Sequence, residues 1–275
     1  MHMTTGDDGL QSARKARADR LLPRAAQILA GSVILGQLAF LVFILAFYYP
    51  ATLTGDFAAW NDKPLITGYR QGDASGNLAF AGHVLFAALI TGSGMVQLLP
   101  VVRRRWPVLH RWSGRIFAMA AGLLALGGLG LVWLRGTYLN IPGALGISFN
   151  AIAILTCLAF AWTLARRRDF AGHRRWALRL FAVASAVWFM RVGYMAWGLS
   201  TGGAGVGDAM DGPFDMFIAF GNTLVPLLTV ECYLRADASR QPVARRAAGA
   251  ALLLGALVVL AGSAGAWMAM WGPYL

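Results

Sequence analysis

Seven stretches of this chain are both apolar and long enough to cross a bilayer: 25–49, 79–100, 113–134, 143–165, 176–199, 213–234 and 247–271. About 20 residues at ~1.5 Å rise cover the ~30 Å of a hydrocarbon core. Inside that core no water is available to the backbone, so each stretch has to close its own hydrogen bonds as a helix. The 58% hydrophobic and 13% charged composition, with mean hydropathy of +0.58, agrees with this and not with a soluble domain. The longest segments left over are 1–24 and 50–78. Neither is able to enclose a sizeable core, which excludes an attached soluble catalytic or DNA-binding domain. The expected fold is all-α: a polytopic bundle of seven transmembrane helices, with a basic arm at 1–24, a membrane domain at 25–271 and an external tail at 272–275.

Charge placement sets the orientation. Of 24 lysines and arginines, 20 fall in the amino-terminal arm and in residues 101–115, 166–179 and 235–246. The alternate loops hold Lys63, Arg70 and Arg135, and Arg191 lies within a span. The positive-inside rule therefore puts the amino terminus in the cytoplasm and the carboxyl terminus outside, as in a bacterial inner membrane. The net charge of +12 is topological on this reading, and its partners are anionic lipid headgroups, not nucleic acid. A homo-oligomer or a membrane partner subunit is compatible with the same surface. The first apolar segment is longer than a signal-peptide core and lacks a clear small-residue cleavage site, so it reads as a retained anchor.

The loops opposite the basic face are turn-rich. Segment 50–78 holds Pro50, Gly55, Asp56, Asn61, Asp62, Pro64 and Gly68, with room for one surface helical turn at Phe57 to Trp60. Residues 202–207 contain four glycines, but without a lysine and with Asp208 and Asp211 close by they suit a connector better than a phosphate cradle. Cys157 lies mid-span and Cys232 near a span end, depths that argue against a disulfide or thiolate metal site.

The most specific signal is an internal repeat. Arg103-Arg104-Arg105 precedes His110 by the spacing at which Arg166-Arg167-Arg168 precedes His173. With one residue inserted in the second copy, Trp112, Arg115, Phe117 and Ala118 then match Trp176, Arg179, Phe181 and Ala182. Spans two and three, and spans four and five, thus read as two parallel copies of one helical hairpin. The motif His110-Arg111-x-x-Gly114-Arg115, the motif His173-Arg174-x-Trp176, the intramembrane Arg191 and the pair Asn222 and Glu231 together resemble a family of bacterial multi-pass membrane proteins catalogued as a domain of unknown function. The resemblance covers residues 79–235, leaving the first and last spans outside it. It implies a multi-pass helical membrane protein and no particular activity.

Depth along each helix sorts the polar residues into two layers. His83, Asn150 and Arg191 form an outer layer at ~6 to ~12 Å; Gln97, His110, His173 and Glu231 form an inner one. A guanidinium in hydrocarbon costs ~2.5 kcal/mol or more unless it faces a partner or water, so Arg191 either meets a compensating group such as His83, Asn150 or a bound anion, or snorkels to the interface. Glu231, the one glutamate in the chain, suits a pairing with Arg175 or Arg179, or carries a proton. Pro226 is expected to kink span six and free the Asn222 carbonyl.

Three functions fit these residues. In the first, a small redox-associated protein binds one b-type haem or a quinone: His110 and His173, at equal depth, are the axial ligands, Arg115 and Arg179 hold the propionates, and Arg191 contacts an anion or carbonyl. Against haem, the two histidines lie at the rim of the bundle, where imidazoles also cap entry loops. In the second, a transporter or lipid-binding permease has a polar pathway past His83, Arg191 and the kink at Pro226, with Asn150 and Glu231 as further substrate-binding candidates. In the third, a non-enzymatic assembly subunit uses none of these residues chemically.

Overall fold

The computed structural model describes residues 5–63 and 67–275, with side chains from residue 20 onward. Arg14, Lys15 and Arg17 of the basic arm lie outside the described side chains. All regular structure among the described residues is helical: α1 (Thr5–Phe43), α2 (Tyr49–Thr54), α3 (Ala74–Leu98), α4 (Pro100–Arg105), α5 (Pro107–Trp133), α6 (Ile141–Arg166), α7 (Phe170–Ala184), α8 (Ala186–Thr201), α9 (Pro213–Ala238) and α10 (Pro242–Ala266). Six of these helices, with the π-helical extensions of α1 and α10, are long and apolar enough to span a membrane, and the α7–α8 pair makes a seventh span. The protein is a helical membrane bundle.

Local chemistry sets the helix ends. Asp73, Asn140 and Asp169 each accept a hydrogen bond from a backbone N–H three residues on, satisfying a donor that the first turn leaves free. Proline opens α4, α5, α6, α9 and α10, where its missing N–H does no harm. The surface turn expected at Phe57 to Trp60 is a 3-10 helix, Phe57–Asn61. Helix α9 continues unbroken through Pro226, with the Asn222 side chain turned to the Ala219 carbonyl.

The two hairpins of the sequence repeat are α3 with α5 and α6 with α7, each a packed pair. Their matching residues behave alike. The Arg115 guanidinium stacks 5.0 Å from the Trp112 ring and Arg179 stacks 4.7 Å from Trp176, each one turn along its helix. The matching rings Phe117 and Phe181 stack on each other at 6.3 Å, and Gly94 packs against both. The repeat-related rings thus meet where the two hairpins pack.

Small residues permit the closest helix approaches. A side chain at Gly146 would strike the Ala219 carbonyl of α9, and one at Gly262 would strike the Val192 carbonyl of α8. Thus α6 seats on α9 and α10 on α8 with almost no space between backbones, which fixes both partners of the helices described next.

Span five departs from the sequence expectation. Instead of one helix over 176–199, α7 and α8 meet at Ser185 with a bend of 57°. At the Arg-poor end, Arg135 ties the segment before α3 to the end of α5. Its guanidinium, with 7% of the side chain exposed, donates to Asp73 at 2.8 Å, Asn77 at 2.8 Å and the Gly68 carbonyl at 3.1 Å. The Arg135 hydrogen bond, followed by that of the Gly76 N–H, holds the Asp73 carboxyl below its ordinary range. A depressed carboxyl adds stability above its unfolded pKa and loses it only as pH falls through the folded value. The tie should therefore be unaffected from pH 5 to 8, and Arg135→Ala should open residues 67–77 to added protease at neutral pH while the wild type resists. Equal resistance of the two would mean that the tie does not hold this segment.

Candidate functional site

The break in span five sits inside the bundle, and three helices supply polar groups to it. A bend in hydrocarbon strips backbone groups of helical partners, each costing several kcal/mol if left bare. Here Asn150 of α6 donates to the Val183 carbonyl at 2.8 Å and to the Thr223 hydroxyl of α9 at 2.9 Å. Thr223, with no exposed surface, donates a hydrogen bond to the Asn222 side-chain oxygen at 2.8 Å. From the opposite side Gln37 of α1, 3% exposed, donates to the Ser185 hydroxyl at 2.8 Å, and Ser185 donates to the Phe181 carbonyl. One acceptor is left over: the Gln37 side-chain oxygen is buried without a partner, as is the nearby Ser263 hydroxyl, which packs on Gly36.

Beyond the break, at the Arg-poor end, Arg191 enters an aromatic cage. Its guanidinium lies 5.4 Å from the Phe40 ring and makes one hydrogen bond, to the Val187 carbonyl one turn back, so most of its donors are unused. Phe40 packs on Trp271 at 5.2 Å, and Trp271 is fully buried with its indole N–H unpartnered. Lys63, from the loop, places its ammonium 5.8 Å from the Phe43 ring and 5.5 Å from the Tyr274 ring. Burial first and the charge of Arg191 second lower Lys63 to about 8. Among the described residues neither cation has a carboxylate within ion-pair distance. The cage is also where the chain departs from α-helical geometry, with π-helical turns at Ile44–Tyr48 and Trp267–Trp271; such turns cluster at functional sites.

The inner residues form a separate group at the Arg-rich end. His173 places Nδ1 2.9 Å from the Ala161 carbonyl, which leaves Nε2 available. His110 has a buried Nδ1 without a partner, and the two imidazoles are near enough to feel each other's charge. Gln97 secures the start of α5 by donating to the His110 carbonyl at 2.9 Å and to Ser113. Of the two partners expected for Glu231, Arg179 takes the role, and Arg235 lies 3.9 Å from the other carboxylate oxygen. Arg179 is thus committed to Glu231, and Arg115 lines an open groove of about 610 Å³ on the outside of α5 and α6 with Trp112 and Trp162. Neither arginine is free to face the histidine pair without giving up these contacts.

The outer residues of the sequence reading do not converge. His83 turns toward Gly127 and Gly128 of α5, Asn150 serves the break, and Arg191 faces the cage. Sequence reasoning missed Gln37, Ser185 and Lys63. Of the two glutamines in the first span, Gln27 and Gln37, the one nearer mid-span was the available signal for the first of these.

The match with known proteins covers the core of this architecture. A family described as Predicted membrane protein (DUF2306) matches residues 80–235. The chain belongs to this family. No curated protein and no solved structure matches the chain. The DUF2306 region contains both hairpins, the break and the histidine pair, whereas most of the aromatic cage comes from α1 and from the segment after α10, outside the match.

Replacing Asn150 by leucine strands the Val183 carbonyl and the Thr223 hydroxyl together. A buried unpaired polar group costs ~1–3 kcal/mol, and Asn150→Leu should lower stability in detergent by about that much, while Asn150→Gln restores part of it. Thermal unfolding in mild detergent reads this, and an unchanged midpoint for the leucine variant would show that the break does not depend on Asn150.

Proposed function

We propose that the protein is a permease for an amphipathic anion, with α7 and α8 as its moving parts. The observation that carries this reading is the 57° break at Ser185, where the Val183 carbonyl accepts from Asn150 of α6 and the Ser185 hydroxyl from Gln37 of α1, with Thr223 of α9 bonded to Asn150 behind them. Broken helices are tolerated in lipid where they are buried in protein or line a pathway, and they recur where duplicated hairpins rock against each other. Arg191, two turns past the break, supplies the cation that an anion would meet. With the Arg-rich end in the cytoplasm, the cage opens to the outer leaflet. Purified protein reconstituted in liposomes should move a fluorescent anionic lipid between leaflets, read as dye newly accessible to a membrane-impermeant quencher. Gln37→Leu, which removes the bond to Ser185, should slow that movement several-fold. Rates equal to protein-free liposomes would remove the permease reading.

A second reading, redox association through one b-type haem or a quinone, rests on His173. An imidazole whose Nδ1 is held by a carbonyl presents Nε2 as iron ligands commonly do, and His110 lies within electrostatic range of it. Haem there would need Arg115 or Arg179 to leave its present contact, and a quinone would use the Arg191 donors for a carbonyl oxygen. Since those arginines are engaged, the protein purified from haem-sufficient cells should be colourless before and after dithionite. A Soret band lost in both His110→Ala and His173→Ala would establish the redox reading instead.

A further inference from the structure

Two cations share the cage with no acid among the described residues to balance them. One guanidinium can be tolerated on a ring face and a backbone carbonyl, as Arg191 is. A second cation beside it is not explained this way, because like charges in a weakly screened site repel. Lys63 has an alternative, since a lysine in a loop reaches water by rotating its stem. Its ammonium lies instead over Phe43 and Tyr274. The neighbouring Trp271 adds an indole N–H, buried and unpartnered. Two cations thus lie over one aromatic cluster, with a buried and unpartnered indole N–H packed behind Phe40, and the chemistry that satisfies the cations together is an oxyanion with an apolar body.

We propose that Phe40, Phe43, Tyr48, Lys63, Arg191 and Trp271 form a binding site for the oxyanion head of an apolar-tailed ligand, with Arg191 and Lys63 as the two arms of the clamp. Arg191 gives planar, paired N–H donors and Lys63 a point charge from the loop side. Phe40 and Phe43 are buried, so the walls offer the head little water. The tail lies along the bilayer, so the ligand is a fatty carboxylate or the phosphate of an anionic lipid. The groups facing Lys63 are Arg191 from α8, Phe43 from α1 and Tyr274 from the carboxyl-terminal turn, with Tyr48 packed on Phe43 and near Arg191. With no acid among them, Lys63 is the group that changes charge near neutral pH, and deprotonation takes one arm away as pH rises through about 8. This site sharpens the permease reading but stands without it, because binding does not require movement.

The test uses the full chain in mild detergent, with radiolabelled laurate by equilibrium dialysis and, separately, native mass spectrometry of co-purified phosphatidylglycerol. A site for a free carboxylate gives saturable binding of one laurate per chain. A site for a lipid phosphate gives one retained phosphatidylglycerol that laurate displaces poorly. In either case Lys63→Ala should weaken retention about tenfold, Lys63→Arg should keep it and abolish its loss between pH 7 and 9, and Arg191→Leu should remove it. Lys63 sits in a loop, so its variants fold even if Arg191→Leu does not. No binding of either probe, or binding unchanged in Lys63→Ala, overturns the proposal. Retained binding with no transbilayer movement upholds the site and removes the permease reading.

Discussion

The bond from Asn150 to the Val183 carbonyl is the contact on which the interior arrangement depends. A helix broken in hydrocarbon survives only if the groups it exposes are taken up by neighbours, since the alternative costs several kcal/mol for each. Asn150 takes up the carbonyl on the α7 side, and its second bond draws in Thr223 of α9. Gln37 reaches Ser185 from α1. Each helix that touches the break therefore has a polar reason to be where it is, in a bundle whose packing is otherwise apolar and nondirectional. The backbone approaches at Gly146 and Gly262 then hold the supporting helices in place.

The duplication makes the break more informative. With the one-residue insertion, the position matching Ser185 in the first copy is Ala121, buried in the middle of an unbroken α5. The copies agree where Arg stacks on Trp and where Phe117 meets Phe181, and they differ where one carries a hydroxyl and bends. One copy is bent and the other unbroken, and at the bend side chains of α1 and α6 bond to the Ser185 hydroxyl and the Val183 carbonyl, beside the backbone bonds that Ser185 keeps to Phe181 and Phe189.

Much of the fold was legible in the sequence because its signals are additive over many residues: apolar runs of 22 to 25, and basic clusters at alternate ends. The pairing of Glu231 with a span-five arginine was also legible, because the chain offers one glutamate and few cations at its depth. The break was not. Ser185 is one small residue in an apolar run with neither Pro nor Gly beside it, and what bends the helix is the set of acceptors and donors brought in from Gln37, Asn150 and Thr223. Lys63 escaped for a related reason: 128 positions separate it from Arg191. Its low charge density in the loop read as topology, and only the folded chain brings it over the same aromatic cluster.

The division between the family core and its flanks carries a functional consequence. The DUF2306 region supplies Arg191, the break and the histidine pair, while Phe40, Phe43, Tyr48, Trp271 and Tyr274 come from the helices on either side. An arginine in a membrane helix is expensive unless something shelters it, and in this chain the shelter is built by elements outside the matched region. On the proposed reading the core sets where a charge acts, and the flanking helices set what shape of molecule reaches it. Because α1 and α10 pack tightly on each other and α10 on α8, the walls of the cage are tied to the segment that bends. A change at Ser185 that swings α8 moves Arg191 relative to Phe40 and Trp271, which links the width of the cage to the angle of the break through contacts already in place.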